Sequence, residues 1–481
     1  MINRGQQNII FLIKLKIEKK RFYIFTKKKI IILFILLTCM LKNNSIRLKI
    51  NYELDKNYKN IQRDINFTFH NKLKSKIRFG IYIYKLKGGG AQRVTALLLN
   101  YIQDYSIFDI FLFTLNIIEE DEYKIPDKIK RIFLKNGNIN NLIKEIKKKK
   151  INILLYQFPH FYDIHLLNGI KSIKTIFYRH SSIFYWIYDN LQVIKNTYRE
   201  YFNSKYIISL IPLENDYILH KWGIRTSILM DNFITYEYSS IIPSDLSSNT
   251  IIMIGRADDI YKRYYLGILA MEYLVKDFRE IKMKIISRLD KTEYLKDLIY
   301  NLNLENSIHF VGFSTNPEIY FQNSSLHLLP TLTETFSQVL CETKIYGIPT
   351  ILLGLDYLTL SKEGTIIIYD EIPDVLAKES LKLMEDKQYR KIIGKKARIS
   401  MKRFNNMFLY KKWIKLLLSA YNSYNYYQIL QNNDVKLSNK TSLKLLKNQI
   451  KLIKKRKLIY SNLTIDDFLN YNYWINYNYS F

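Results

Sequence analysis

Residues 330–348 read PTLTETFSQVLCETKIYGI and set Glu334 and Glu342 eight positions apart, in a segment that opens as a loop and continues as a helix. The run ahead of it, LHLLP at 326–330, reads as a short apolar strand stopped by Pro330, which has no amide hydrogen to extend a ladder. Thr333 reads as the helix N-cap, and Phe336, Val339, Leu340 and Ile345 recur at close to helical spacing. With both carboxylates on one helix, eight residues separate them by about 12 Å along the axis and about 80° around it. That is too far for two carboxyls sharing a proton. It suits an extended ligand such as a nucleotide sugar, its diphosphate near the helix N-terminus. An amphipathic core helix with two exposed glutamates is the alternative for this segment alone.

Strand-like runs lie on both sides of it. A first series falls at 79–84, 110–115, 151–157, 175–179, 206–211 and 227–230, separated by helical stretches such as 91–103 and 139–149. A second falls at 251–254, 283–287, 308–311, 326–329, 350–353 and 365–369, separated by helical stretches such as 266–276, 293–302 and 335–346. Continuous apolar strands alternating with helices indicate parallel sheets covered on both faces. Two such series indicate an α/β chain of two Rossmann-like parallel-sheet domains facing a cleft. The expected division is an N-terminal extension at 1–77, a first domain at 78–235, a Ser-rich linker at 236–249 (YEYSSIIPSDLSSN), a second domain at 250–421 and a C-terminal tail at 422–481. A helix around 402–419 is expected to cross back onto the first domain.

Composition narrows the function classes. The 481 residues carry a formal net charge of +31, but Lys, Ile, Asn and Tyr (40 of the last) are enriched in apolar and polar stretches alike. Basic residues are spread along the chain, and no zinc-finger, basic-zipper or RNA-recognition signature accompanies them, so no nucleic-acid partner is expected. The charge favours an anionic membrane surface or an anionic substrate. Two cysteines, Cys39 and Cys341, make neither a disulfide framework nor a metal cluster. Residues 30–41, IIILFILLTCML, follow Lys27, Lys28 and Lys29. Twelve uncharged residues are short for a span and suit a signal-anchor or monotopic anchor, with a buried core helix as the alternative. Membrane association is expected, and the sequence leaves the cytosolic face and an endomembrane lumen both open.

In open parallel sheets ligands bind beyond the carboxyl ends of the strands, and three loops lie there. Gly88, Gly89 and Gly90 precede a helix and let backbone approach a ligand closely. Arg256 and Lys262, in GRADDIYK, offer two cations to a diphosphate. The third loop is 331–334. For each, an ordinary turn or a solvated pair of cations is the competing reading.

GGGAQRV at 88–94, IGRADDIYKRYYLGILAMEYL at 254–274, VGF at 311–313 and LLPTLTETFSQVLCETKIYGIPTI at 328–351 occur together in order. In this the chain resembles the retaining nucleotide-sugar glycosyltransferases of the GT-B fold, specifically glycosyltransferase family four, from about residue 78 to 418. The resemblance implies that Glu334 faces the donor sugar and Glu342 the nucleotide ribose, with Thr335, Phe336 and Ser337 beside the donor. It implies that Arg256 and Lys262 hold the diphosphate, that Gly89 and Gly90 face the donor, and that a histidine lies near the sugar. His180 fits that last role best, with His160 next. It further implies a nucleoside-diphosphate sugar donor, a glycan or lipid-linked acceptor and front-face transfer with retention. No cofactor is expected. No D-x-D tripeptide or His/Cys cluster offers a metal site, so none is assigned. Gln92 and Ser337 stand where the family often has Glu and Gly. A sugar-nucleotide epimerase or hydrolase on a similar scaffold, and a degenerate transferase fold acting as a membrane- or nucleic-acid-binding module, are the alternatives.

Overall fold

The computed structural model describes residues 75–422 apart from 116–117, 119–120, 136–138, 159–160, 183–197, 205, 223–226, 258–259, 289–291 and 315, together with 441–442, 444–449 and 451–452. Of the chain's two compact units, Met1–Ser75 and Lys76–Phe481, every element below belongs to the second. The apolar run 30–41 and the anchor read from it lie outside the described residues, as does His160. Among the described residues no helix is long and apolar enough to cross a membrane.

The first domain runs β1 (Ile77–Tyr82), α1 (Gly90–Ile102), β2 (Phe108–Thr114), β3 (Lys130–Phe133), α2 (Ile139–Lys148), β4 (Ile153–Gln157), α3 (Phe161–Asn168), β5 (Lys174–Tyr178), β6 (Tyr206–Ser209), α4 (Pro212–Trp222) and β7 (Ser227–Leu229). Its seven strands are ordered β3-β2-β1-β4-β5-β6-β7, and every pairing is parallel. Apolar runs such as ILLYQ in β4 are buried along their whole length because helices cover both faces. The strand KRIF, absent from the expected series, sits at the sheet edge with every residue at least partly exposed. An edge strand needs little apolar sequence, so periodicity does not announce it.

The second domain runs β8 (Thr250–Ile254), α5 (Tyr264–Asp277), β9 (Lys282–Ile286), α6 (Glu293–Asn301), β10 (Ile308–Phe310), α7 (Glu318–Gln322), β11 (Leu326–Leu329), α8 (Gln338–Ile345), β12 (Thr350–Leu353), β13 (Thr365–Ile368), α9 (Pro373–Glu385) and α10 (Lys387–Ser400), and the chain then enters α11 (Asn406–Tyr421). Its six strands are ordered β10-β9-β8-β11-β12-β13, again in parallel. Ile251, Met253, Ile268, Leu269, Leu328 and Ile351 belong to one buried cluster. Fully burying such a side chain contributes about 1.5–3 kcal/mol, which makes this cluster a main support of the domain.

Both sheets reverse direction beside their first strand, between β1 and β4 and between β8 and β11. A crevice opens outside the carboxyl ends of the strands at each reversal. The helix α11 packs against α1, β4 and β5 of the first domain. Its first residue, Asn406, accepts from the Ile234 amide at 2.9 Å and donates to the Ile234 carbonyl at 2.8 Å and to the Tyr101 hydroxyl at 2.9 Å. Trp413, almost wholly buried, stacks at a tilt on Tyr178 with ring centres 5.6 Å apart. From the tail, buried Gln449 donates to the Gly354 carbonyl at 2.8 Å and to Asp356 at 2.7 Å.

One expectation fails here. The helix after β11 starts at Gln338, not near Thr333, and Ser337 is its N-cap. Ser337 takes φ +64°, a left-handed value that interrupts any helix arriving from Thr335, and its hydroxyl accepts from the Leu340 amide at 3.4 Å. Glu342 therefore lies on α8 while Glu334 lies in the loop before it, and the spacing worked for a shared helix does not apply.

Candidate active site

The glycine loop follows β1. Gly88 has φ +80°, which a side-chain-bearing residue rarely adopts, and Gly89 is the N-cap of α1 with no side chain to accept from the first-turn amides. Those amides are left to water or an anion. A methyl group at Gly90 would touch the Gln338 side chain at 4.0 Å, so this loop abuts the start of α8 across the cleft.

Across from it the loop 331–337 is braced on both sides. The Leu332 amide donates to the Tyr261 carbonyl at 2.7 Å. The Tyr357 hydroxyl donates to the Glu334 carbonyl at 3.1 Å and accepts from the Glu334 amide at 3.3 Å. The Lys262 ammonium donates to the Glu334 carboxylate, both groups partly buried. Gly255 starts the loop that carries Arg256 and Lys262, at φ +146°, with the Tyr264 hydroxyl 3.1 Å from where a Cβ would stand. Arg256 is exposed in that loop. Arg263, next to Lys262, is buried and left-handed at φ +50°. Its guanidinium makes two bonds to Glu371, at 2.8 and 3.1 Å, and donates to the Pro330 carbonyl at 2.7 Å, locking the cation loop to the glutamate loop.

Glu342 stands elsewhere. Its buried carboxylate accepts from Arg93 on α1, so the two domains are joined by an ion pair. Burial raises the Glu342 pKa above the ordinary carboxylate value, and the Arg93 charge opposes that rise. Phe336 is buried and meets Phe404 edge-on with ring centres 5.7 Å apart, so it supports the loop from behind. Thr335 reaches the other domain, its hydroxyl donating to the His180 carbonyl at 3.1 Å. The His180 ring lies 4.1 Å from the Tyr178 ring and 5.2 Å from that of Phe158. That enclosure pushes its pKa down to about 3, so the imidazole is neutral at physiological pH. Among the described residues no three His, Cys, Asp or Glu side chains converge to hold a metal ion.

The structure thus brings Gly89, Gly90, Lys262, Glu334, Thr335, Ser337 and His180 to the two sheet reversals, with Arg256 on the same loop as Lys262. Several partners were not read from sequence. Arg93 lies in GGGAQRV three residues after Gly90, a spacing that places both on one face of α1. Gln157, a polar end to the apolar β4, was the visible signal for the contact it makes with His180. Arg288 is another. It pairs with Asp121 of the first domain at 2.7 Å and lies over the Phe313 ring, 5.3 Å from its centre.

Two Rossmann-like domains with their reversals facing one cleft define the GT-B class, and solved structures of that class resemble the chain. Sucrose-phosphate synthase from Thermosynechococcus elongatus superposes with TM-score 0.62 at 14% identity, covering 72% of this chain and 100% of that one. HepE from Anabaena in complex with UDP and glucose superposes with TM-score 0.57 at 14% identity, covering 71% of this chain and 100% of that one. Residues 237–400 match the family model for Glycosyl transferases group 1. The chain is 24% identical over 371 residues, 71% of its length and 99% of the relative's, to the N-acetylgalactosamine-N,N'-diacetylbacillosaminyl-diphospho-undecaprenol 4-alpha-N-acetylgalactosaminyltransferase of Campylobacter jejuni. It is 23% identical over 233 residues to an uncharacterized glycosyltransferase of Haemophilus influenzae, of which it spans 64%. Together these support a GT-B glycosyltransferase.

Proposed function

We propose that the protein is a retaining, metal-independent glycosyltransferase that moves a sugar from a nucleoside-diphosphate sugar to a glycan or lipid-linked acceptor at a membrane. One observation carries the reading. The Lys262–Glu334 pair stands at the β8/β11 reversal, opposite the first-turn amides of α1 at the β1/β4 reversal, which Gly89 has no side chain to cap. A diphosphate in that cleft would meet Lys262, Arg256 and those amides, and it would compete with Glu334 for Lys262. Glu334 would then be released toward the sugar.

In this reaction the anomeric C–O bond breaks, its electron pair passes to the β-phosphate oxygen, and the acceptor hydroxyl oxygen bonds the anomeric carbon on the same face. The acceptor proton goes to the departing phosphate. Charge builds on the phosphate oxygens, where fixed cations and amides lower the barrier. The separate engagement of Glu334 and Glu342 by cations from different elements supports a mechanism other than the close carboxylate pair of a double-displacement hydrolase. The Campylobacter relative's diphospho-undecaprenol substrate and the apolar run 30–41 after three lysines support the lipid-linked acceptor and the membrane.

Turnover of UDP- and GDP-sugars, with and without EDTA, tests the proposal, and proton NMR of the product reads the anomeric configuration. Transfer with inverted configuration, or abolished by chelation, would overturn those parts of it. Tight donor binding without transfer or hydrolysis would overturn the enzyme reading.

A further inference from the structure

Gln157, buried at the end of β4, links His180 to α1. Its side-chain Nε2 donates to Thr95 Oγ1 at 2.8 Å, and the Thr95 hydroxyl donates to the Ala91 carbonyl at 2.8 Å on the preceding turn. A hydroxyl has one proton to give. With that proton on Ala91, Thr95 must accept from Gln157, which turns the amide nitrogen toward Thr95 and the amide oxygen Oε1 toward His180. The reverse amide orientation would set two lone pairs against each other across the same short contact. Oε1 only accepts, and it faces His180 Nε2, so Nε2 carries the hydrogen. A neutral imidazole holds one hydrogen, which leaves Nδ1 bare, and Nδ1 has no hydrogen-bond partner among the described residues.

We propose that Thr95 and Gln157 are positioning residues that fix His180 in its Nε2–H tautomer, so that Nδ1 serves as a hydrogen-bond acceptor for a hydroxyl of the bound sugar. The clause about the sugar rests on the donor-site reading above. The arrangement around the ring agrees with it. Tyr178, its ring tilted against that of His180, spends its own hydroxyl on Asn232, and the His180 backbone is tied through Thr335 to the loop that holds Glu334.

The test is a long-range proton–nitrogen spectrum of the full chain with labelled histidine, the His180 signals being those missing from His180→Ala. The expected spectrum has an unprotonated Nδ1 and a protonated Nε2 at neutral pH. Thr95→Val keeps the branched bulk but removes the hydroxyl, so Gln157 can turn over. A mixture of tautomers should appear, with kcat/KM for the donor down about tenfold, the scale of one hydrogen bond. Thr95→Ser should restore both. Gln157→Met, similar in size and unable to accept, should give the same mixture should Thr95→Val fail to fold. A wild-type ring protonated on Nδ1, or a tautomer unchanged in both variants, would overturn the proposal. The spectrum needs no substrate, so its outcome is separate from that of the turnover assay.

Discussion

Replacing Arg93 by Met should destabilise the protein more than replacing its partner Glu342 by Gln, although both changes break one ion pair. The Glu342 side chain is 2% exposed and that of Arg93 27%. Stranding one charge of a buried pair costs about 3–5 kcal/mol. Arg93→Met strands the carboxylate, which escapes the full penalty by taking up a proton, so about 3 kcal/mol is expected at neutral pH. Glu342→Gln strands a guanidinium that can turn toward water and still meets an amide oxygen, so about 1 kcal/mol is expected. Combining both changes should reveal a coupling of about 2 kcal/mol. Burial raises the Glu342 pKa in the folded state, so the folded chain takes up that proton more readily than the unfolded chain does. Arg93→Met should accordingly regain stability on acidification, as that carboxyl protonates, whereas Glu342→Gln should not. Urea unfolding of the four proteins of the cycle at neutral and acidic pH measures all of this. Equal costs for the two single changes, or a coupling under about 0.5 kcal/mol, would refute a buried tie between the domains.

Arg256→Ala and Lys262→Ala should each lower turnover about ten- to a thousandfold in steady-state kinetics, the range for losing one charge contact with a transition state. Glu334→Gln should act mainly on kcat and, with Glu342 facing the nucleotide ribose as the family resemblance implies, Glu342→Gln mainly on binding of the bare nucleoside diphosphate; calorimetric titration giving the opposite order would reverse that orientation. His180 and His327 are enclosed and each is held down to about pKa 3. The unfolded chain therefore binds more protons below pH 6.5, so stability should be full above that and fall toward pH 3, less steeply in His327→Asn. Removing residues 1–41 should release the protein from membranes in a flotation assay while donor turnover persists; loss of folding instead would make 30–41 core.

The domain pattern was legible because it rests on local repetition. Buried parallel strands must be apolar along their length, so runs such as 326–329 and 350–353 announce themselves, and the proline or glycine closing each marks where a ligand loop begins. Edge strand β3 escaped because solvent on its flank leaves KRIF free of that requirement. The residue types of the site were legible for a similar reason. Phosphate chemistry asks for glycines, cations and carboxylates at strand ends, and these can be recognised one loop at a time. Which of them meet could not be read. Lys262 and Glu334 are 72 positions apart and Arg93 and Glu342 are 249 apart. Both pairs depend on how the sheets reverse and how the domains abut. Even the start of α8 was a tertiary outcome. Thr333 and Ser337 are both good caps by residue type, but Thr331 and Thr333 are engaged by Tyr261 and Tyr357, which hold the loop open until Ser337 turns it. Local sequence determined the kinds of element and the chemistry available at their ends. Long-range packing decided which charge each carboxylate faces, because an ion pair follows from proximity in space and leaves no periodic trace in the chain.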